Sequence, residues 1–221
     1  MKVGTDSIML GSWVQTNNAQ RILDIGTGSG LLALMLAQKT PSTCLINGID
    51  IDPVAISQAK DNGKNCPWAQ RLTFQHTSLQ QFPFVRAYDL IVSNPPYFPI
   101  NVSANKTHSA KNRPNARQTI ALDHPTLLQE VTKHLSDSGR FCCVLPVDLA
   151  EVFIVDAESV GLYCIRELQV QPKEQTQVTR LLLEFSLIKK AKSCENMSIY
   201  NDIGSYSEEY VALCKDYYLN F

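Results

Sequence analysis

The run Gly26-Thr27-Gly28-Ser29-Gly30 constrains this chain more than any other stretch. It joins a short apolar segment, residues 21–25, to a helical one, residues 31–38. A buried strand, a turn of closely spaced glycines and a helix make a nucleotide-binding unit. Glycine lets a ligand approach the backbone, and the helix N-terminus presents unpaired amides. The spacing is G-x-G-x-G, one residue tighter than the G-x-G-x-x-G of dinucleotide folds. Alone the turn is weak evidence, because an ordinary strand-to-helix connection has the same parts.

Two later strand ends sharpen the reading. Residues 44–49 form an apolar strand that finishes at Asp50, where a carboxylate can hold both hydroxyls of a ribose. Asp50 could instead cap the following helix, residues 53–64, but Asp52-Pro53 suits that task better, with proline at the first helical position. A third strand, residues 72–76, leads to Thr77-Ser78-Leu79. A fourth, Asp89-Leu-Ile-Val92, runs into Ser93-Asn94-Pro95-Pro96-Tyr97. In open α/β sheets ligands bind beyond the carboxyl ends of strands. The paired prolines stiffen the turn and leave its carbonyls free to accept. Asn94 adds a side-chain acceptor and Tyr97 a flat face. Two acceptors beside an aromatic plane suit a planar amine, either the amino group of a nucleobase or a carboxamide. A plain strand-ending turn uses the same residue types.

The remaining pattern is α/β throughout. Residues 1–18 hold an N-terminal helix for which Thr5 and Asp6 are suitable caps. Residues 98–122 have little periodicity, carry Lys106, His108, Lys111, Arg113 and Arg117, and contain no acidic residue. So long a loop directly after the Asn94 turn reads as a substrate-binding lid. A helix opens at Asp123-His-Pro and runs from Pro125 to about Leu135, with Gly139 as its stop signal, before a strand over residues 140–145. Residues 148–160 read as a further helix. Residues 163–170 and 180–188 read as an antiparallel strand pair, residues 189–198 as a polar link and residues 208–219 as a last helix. Residues 190–221 are thus a C-terminal extension of one domain spanning 1–221. Net charge is −1, so any basic surface is local. Seven cysteines without C-x-x-C spacing fit a reduced, cytoplasmic compartment, and neither a metal-site spacing nor a membrane-length apolar run is present.

With Leu23-Asp-Ile-Gly-Thr-Gly-Ser-Gly30, Gly48-Ile-Asp50 and Asn94-Pro-Pro-Tyr97 in order, the chain resembles the class I S-adenosylmethionine-dependent methyltransferases. That resemblance implies a Rossmann-like α/β fold: a seven-stranded, mostly parallel sheet with an antiparallel last strand and helices on both faces. The Asn-Pro-Pro-Tyr signature belongs to members that methylate amines of adenine, cytosine or guanine, or the glutamine amide. The opening Met1-Lys-Val-Gly-Thr-Asp6, Leu122-Asp-His-Pro125 and the closing Tyr206-Ser-x-x-Tyr210…Tyr217-Tyr-Leu219 are similar to the bacterial tRNA(Val) adenine-37 N6-methyltransferases. The likeness spans essentially the whole chain.

Carried over by residue, the resemblance implies S-adenosylmethionine as cofactor, with Asp24 near its amine, Gly26, Gly28 and Gly30 along its backbone contacts, and Asp50 on the ribose. Ser78 and Leu79 would border its adenine. Relatives often carry an aspartate where Ser78 stands, a departure from the family's contact to the adenine amine. They also begin upstream of Met1, so part of the cover over the cofactor is expected to be missing. Asn94 and the Pro95 carbonyl would hold the target amine and Tyr97 would stack on the base. Lys106, Lys111, Arg113 and Arg117 would grip phosphates of a tRNA anticodon loop. The expected reaction is methyl transfer to the N6 amine of adenine. The alternatives are a glutamine or ribosomal-RNA base methyltransferase, or a non-catalytic RNA- or cofactor-binding module.

Overall fold

The strands run β1 (Arg21–Ile25), β2 (Leu45–Asp50), β3 (Leu72–His76), β4 (Tyr88–Ser93), β5 (Leu135–Pro146), β6 (Tyr163–Lys173), β7 (Arg180–Ser186) and β8 (Ser193–Tyr200). The helices are α1 (Thr5–Trp13), α2 (Leu31–Lys39), α3 (Pro53–Lys64), α4 (His124–His134), α5 (Val147–Ser159) and α6 (Glu208–Cys214). This computed structural model describes residues 4–17, 19–83, 87–95 and 123–218. All eight strands share one sheet in the order β3-β2-β1-β4-β5-β7-β6-β8. β1 to β5 are mutually parallel, while β7 runs antiparallel to both β5 and β6.

Side chains of a strand alternate between faces, and here both faces are apolar. Ile22, Ile46, Leu90, Val92 and Cys142 point into one core with α1, α2, α3 and α6. Leu23, Ile49, Ile91, Phe141 and Cys143 point into the other with α4 and α5. Helices therefore cover both faces, as the doubly wound reading requires. Fully burying one such Leu, Ile or Phe side chain contributes about 1.5–3 kcal/mol, which explains the near-continuous apolar runs of the central strands.

Three expectations need correction. The sheet has an eighth strand where a polar link was expected: β8 pairs parallel with β6 from Arg166↔Ser193 to Lys173↔Tyr200. Its first four residues are exposed, so it is held by backbone pairing and shows no apolar pattern. Gly139 does not stop α4. That helix ends at His134 and β5 begins at Leu135. Gly139 lies inside the strand, where a Cβ would stand 2.7 Å from the Tyr88 carbonyl oxygen. Finally, α1 is capped by neither Thr5 nor Asp6. Gly4 is its N-cap, and the Asp6 carboxylate is 3.0 Å from Arg180 Nε.

The carboxyl ends of α1 and α2 are closed by cations from elsewhere, as the helix dipole favours. Arg71, nearly fully buried, donates to the Ala37 and Thr40 carbonyls and to the Thr40 hydroxyl. Lys39 Nζ donates to the carbonyls of Gly11 (3.1 Å), Ser12 (2.7 Å) and Val14 (2.5 Å), pinning the end of α1 to α2. Lys39→Met keeps the apolar stem but strands those three acceptors. It is expected to lower unfolding stability by about 1.5–3 kcal/mol, read as a reduced urea midpoint with unchanged slope.

Candidate functional site

β1 lies between β2 and β4, with Ile25 paired to Ile49 on one side and Ser93 on the other. The chain leaving β1 enters α2 on one face of the sheet. After β4 the next described helix, α4, packs on the opposite face. This reversal opens a crevice at the carboxyl edge, the position where doubly wound folds bind ligands. The crevice collects those of the sequence-marked residues that are described: Asp24, Gly26, Gly28, Gly30, Asp50, Ser78, Leu79, Asn94 and Pro95.

On its β1 side the glycine turn is anchored at three points. The amides of Gly26 and Thr27 both donate to the Ile49 carbonyl at 2.9 Å, and Gly28 N–H donates to Asp50 Oδ2 at 2.9 Å. Gly26, Gly28 and Gly30 have φ of 69°, 57° and 83°, a region that side chains disfavour. Among the described residues a Cβ at Gly26 would meet nothing within 4 Å, which leaves room for a ligand on that side of the turn. The other carboxylate oxygen of Asp50 accepts from Asp52 N–H at 2.9 Å, and Asp52 Oδ1 accepts from Val54 N–H at 2.8 Å. Asp52 is therefore the cap of α3, and Asp50 sits between the turn and the end of β2. Thr77 N–H donates to the Asp50 carbonyl, which brings half-buried Ser78 and buried Leu79 to the same edge.

Asp24 is fully buried beneath this turn. Its Oδ2 accepts from the Thr27 hydroxyl at 2.6 Å, and its Oδ1 lacks a well-formed hydrogen bond among the described residues. Burial pushes the carboxyl up from an ordinary 3.8 to about 7 and the Asp50 charge adds to that, while the Thr27 hydroxyl and the Ala33 amide oppose it. A buried carboxylate with an under-bonded oxygen, an open glycine turn and a second carboxylate at the end of β2 fit a ligand with an ammonium group and a ribose. S-adenosylmethionine is such a ligand.

On the β4 side the Ser93 hydroxyl donates to the Ile25 carbonyl at 2.9 Å, locking the end of β4 to that of β1. Asn94 follows, half-buried, and its Nδ2 donates to Ser7 Oγ at 2.9 Å. Pro95 is buried. Tyr97, Lys106, Lys111, Arg113 and Arg117 lie outside the described residues. Sequence reasoning missed Thr27, Ser93 and Ser7. Thr27 and Ser93 adjoin the motifs and were within its reach, whereas Ser7 meets Asn94 across 87 residues of chain and no local signal marks it. Among the described residues no cluster of three or more His, Cys, Asp or Glu could hold a metal ion.

Solved structures with this fold include a protein described as a predicted O-methyltransferase from Agrobacterium tumefaciens, at a TM-score of 0.74 and 11% identity over 96% of each chain. The methyltransferase small domain model matches residues 2–149. Fold, crevice and family model together place the chain among the S-adenosylmethionine-dependent methyltransferases. Sequence relatives narrow the class. The tRNA1(Val) (adenine(37)-N6)-methyltransferase of Pseudoalteromonas atlantica is 46% identical over 100% of this chain and 93% of its own length. The one from Pectobacterium carotovorum is 40% identical over 99% of this chain and 88% of its own. At that identity and coverage, the chain belongs to the tRNA1(Val) (adenine(37)-N6)-methyltransferase family.

The raised Asp24 value predicts a pH signature in the unliganded protein. Between about 4 and about 7 the folded chain holds a proton on Asp24 that the unfolded chain has released. Stability contributed by this group therefore falls as pH rises through that window. Urea unfolding of Asp24→Asn is expected to show a flatter decline than wild type from pH 4 to pH 7. Parallel curves would mean that Asp24 does not hold its proton.

Proposed function

We propose that this chain transfers the methyl group of S-adenosylmethionine to the exocyclic N6 amine of adenine 37 in the anticodon loop of tRNA1(Val). The observation that carries the reading is the placement of Asn94-Pro95 across the sheet's switch point from Asp24 and the glycine turn. The relatives named for this activity support the choice of substrate. A tRNA substrate and seven unpaired cysteines support a cytoplasmic setting, and no helix among the described residues is long and apolar enough to cross a membrane.

S-adenosylmethionine supplies a methyl group on a sulfonium, and the protein supplies orientation and electrostatics. Asp50 accepts from the ribose hydroxyls, Asp24 faces the ammonium group, and Ser78 and Leu79 border the adenine ring. The Asn94 side-chain oxygen and the Pro95 carbonyl accept the two N–H bonds of the target amine. An amine conjugated with a purine is a poor nucleophile. These two acceptors draw its lone pair out of conjugation with the ring and aim it at the methyl group. The bonds strengthen as the nitrogen turns positive, so they stabilise the transition state more than the bound substrate. The extra proton leaves to solvent after transfer. Tyr97 stacks on the base, and Lys106, Lys111, Arg113 and Arg117 hold flanking phosphates. A loop adenine is already unpaired, which lowers the cost of extruding it.

A glutamine amide could use the same two acceptors, and a labelled-cofactor assay with total RNA against total protein separates the two. The decisive variant is Asn94→Ala. Single-turnover rates with saturating RNA are expected to fall on the order of 10²–10³-fold, as on loss of an oriented electrostatic partner. Cofactor affinity should be retained, because the glycine turn and Asp50 are untouched. A wild-type rate would reduce the Asn94 turn to a structural one.

A further inference from the structure

The carboxyl edge of the sheet does not end at the crevice. β5 finishes at Pro146, which pairs with Arg180 at the start of antiparallel β7. β6 and β8 finish side by side at Lys173 and Tyr200. Arg180 and Tyr200 therefore lie on the same edge as Asn94. At about 4.8 Å per strand, β7 stands about 10 Å from β4 and β8 about 19 Å.

At this far end a cavity of about 370 Å³ is lined by residues that include Thr5, Asp6, Arg180, Tyr200, Tyr206 and Tyr218. Its wall contains a built aromatic stack. The Tyr206 ring lies between Tyr200, at 5.1 Å and 18°, and Tyr210, at 5.2 Å and 19°. Tyr210 is fully buried, whereas Tyr200 is 37% exposed. The Tyr200↔Tyr206 bridge and the tight turn between them, with Gly204 at φ 85°, hold the outer rings in place. The same first turn of α1 that lines the cavity through Thr5 and Asp6 also carries Ser7, the partner of Asn94. The cavity and the candidate catalytic turn are thus two sides of one helix end.

We propose that this cavity takes a second nucleobase of the substrate RNA, a base of the same loop several nucleotides from the methylated adenine, stacked against Tyr200. The proposal rests on the RNA reading above and deepens it. A rigid, half-exposed tyrosine stack offers a π face to any base, and the stack's position on the active edge places it along the path of a chain whose target base sits at Asn94. The cation in the cavity wall, Arg180, is paired with Asp6 at 3.0 Å, and the exposed tyrosine face suits a base.

The test uses the full chain and an anticodon stem-loop RNA. Tyr200→Ala is expected to raise KM for the RNA roughly 5- to 150-fold, the span of one base–aromatic stack. It should leave kcat and cofactor affinity at wild-type values, while Tyr200→Phe and Tyr200→Trp keep the low KM. The salt slope of RNA binding should not change, because no phosphate contact is lost. Stem-loops with one abasic loop position at a time then locate the base. Removing it should cost the wild type the same factor and cost Tyr200→Ala nothing further. An unchanged KM in Tyr200→Ala, or the absence of any such abasic position, would overturn this inference while leaving adenine methylation intact. Failure of the wild-type enzyme to methylate the stem-loop at all would overturn the RNA reading and this inference together.

Discussion

One aromatic ring sets much of the cofactor half of the molecule. Phe74, on β3, packs where a Cβ on Gly30, Gly48 or Gly63 would stand, with approaches of 3.1, 2.6 and 2.7 Å. Those glycines come from the end of the glycine turn, the middle of β2 and the last turn of α3. The ring can seat only because all three lack a side chain, so it draws turn, strand and helix into one packed unit. Gly48 also leaves room for the Thr27 hydroxyl, 2.7 Å from where its Cβ would be. That hydroxyl is the one that bonds Asp24. A side chain at Gly48 would therefore press on the core and on the buried carboxylate together, and overpacking of this kind costs about 1–3 kcal/mol.

The substrate half depends on a different device. Glu184 on β7 is buried and bonds Arg140 at 2.9 Å and Arg166 at 2.7 Å. Arg166 lies 3.7 Å above the Trp13 ring, and the two arginines also donate to the carbonyls of Gln15 and Trp13. Buried ion pairs are poor sources of net stability, but removing one partner strands the others. Here the cluster ties the exit of α1 to β5, β6 and β7, and Lys39 adds three carbonyl bonds from α2. A helix fixed so firmly at its C-terminus presents its N-terminal residues at a defined place. Two of those residues matter: Ser7, which accepts from the Asn94 amide, and Asp6, which meets Arg180.

What was legible in the sequence follows from this division. Strand ends β1, β2 and β4 announce themselves because each couples an apolar run to a residue type that a ligand requires, and Gly26, Gly28, Gly30, Asp50 and Asn94 all fall at one edge as expected. Asp52 and Asp123 are legible as caps for the same local reason, each accepting from a backbone N–H two or three residues on. β8 was not legible, since half of it faces solvent and its pairing with β6 uses the backbone. The α1 start was misread because Asp6 has two uses for its carboxylate, and the one it takes is 174 residues away. Likewise Gly139 looked like a helix stop, although its reason is the approach of the Tyr88 carbonyl. Local chemistry could be read from the sequence, but contacts that need the closed sheet could not.

The order of strands also explains how one fold separates two binding tasks. Strands β3, β2 and β1 lie on one side of the switch point and carry the parts suited to S-adenosylmethionine. Strands β4, β5, β7, β6 and β8 lie on the other; Asn94 follows β4, Tyr200 ends β8, and Arg180, at the start of antiparallel β7, falls on the same edge. β1 and β4 pair directly across the switch point, and the Ser93–Ile25 bond holds those two ends together. Methyl transfer needs a near-attack arrangement of two molecules bound independently. A buried hydrogen bond between the two strand ends, added to their backbone pairing, is a direct way to keep that arrangement, because a relative shift of the two ends would break it.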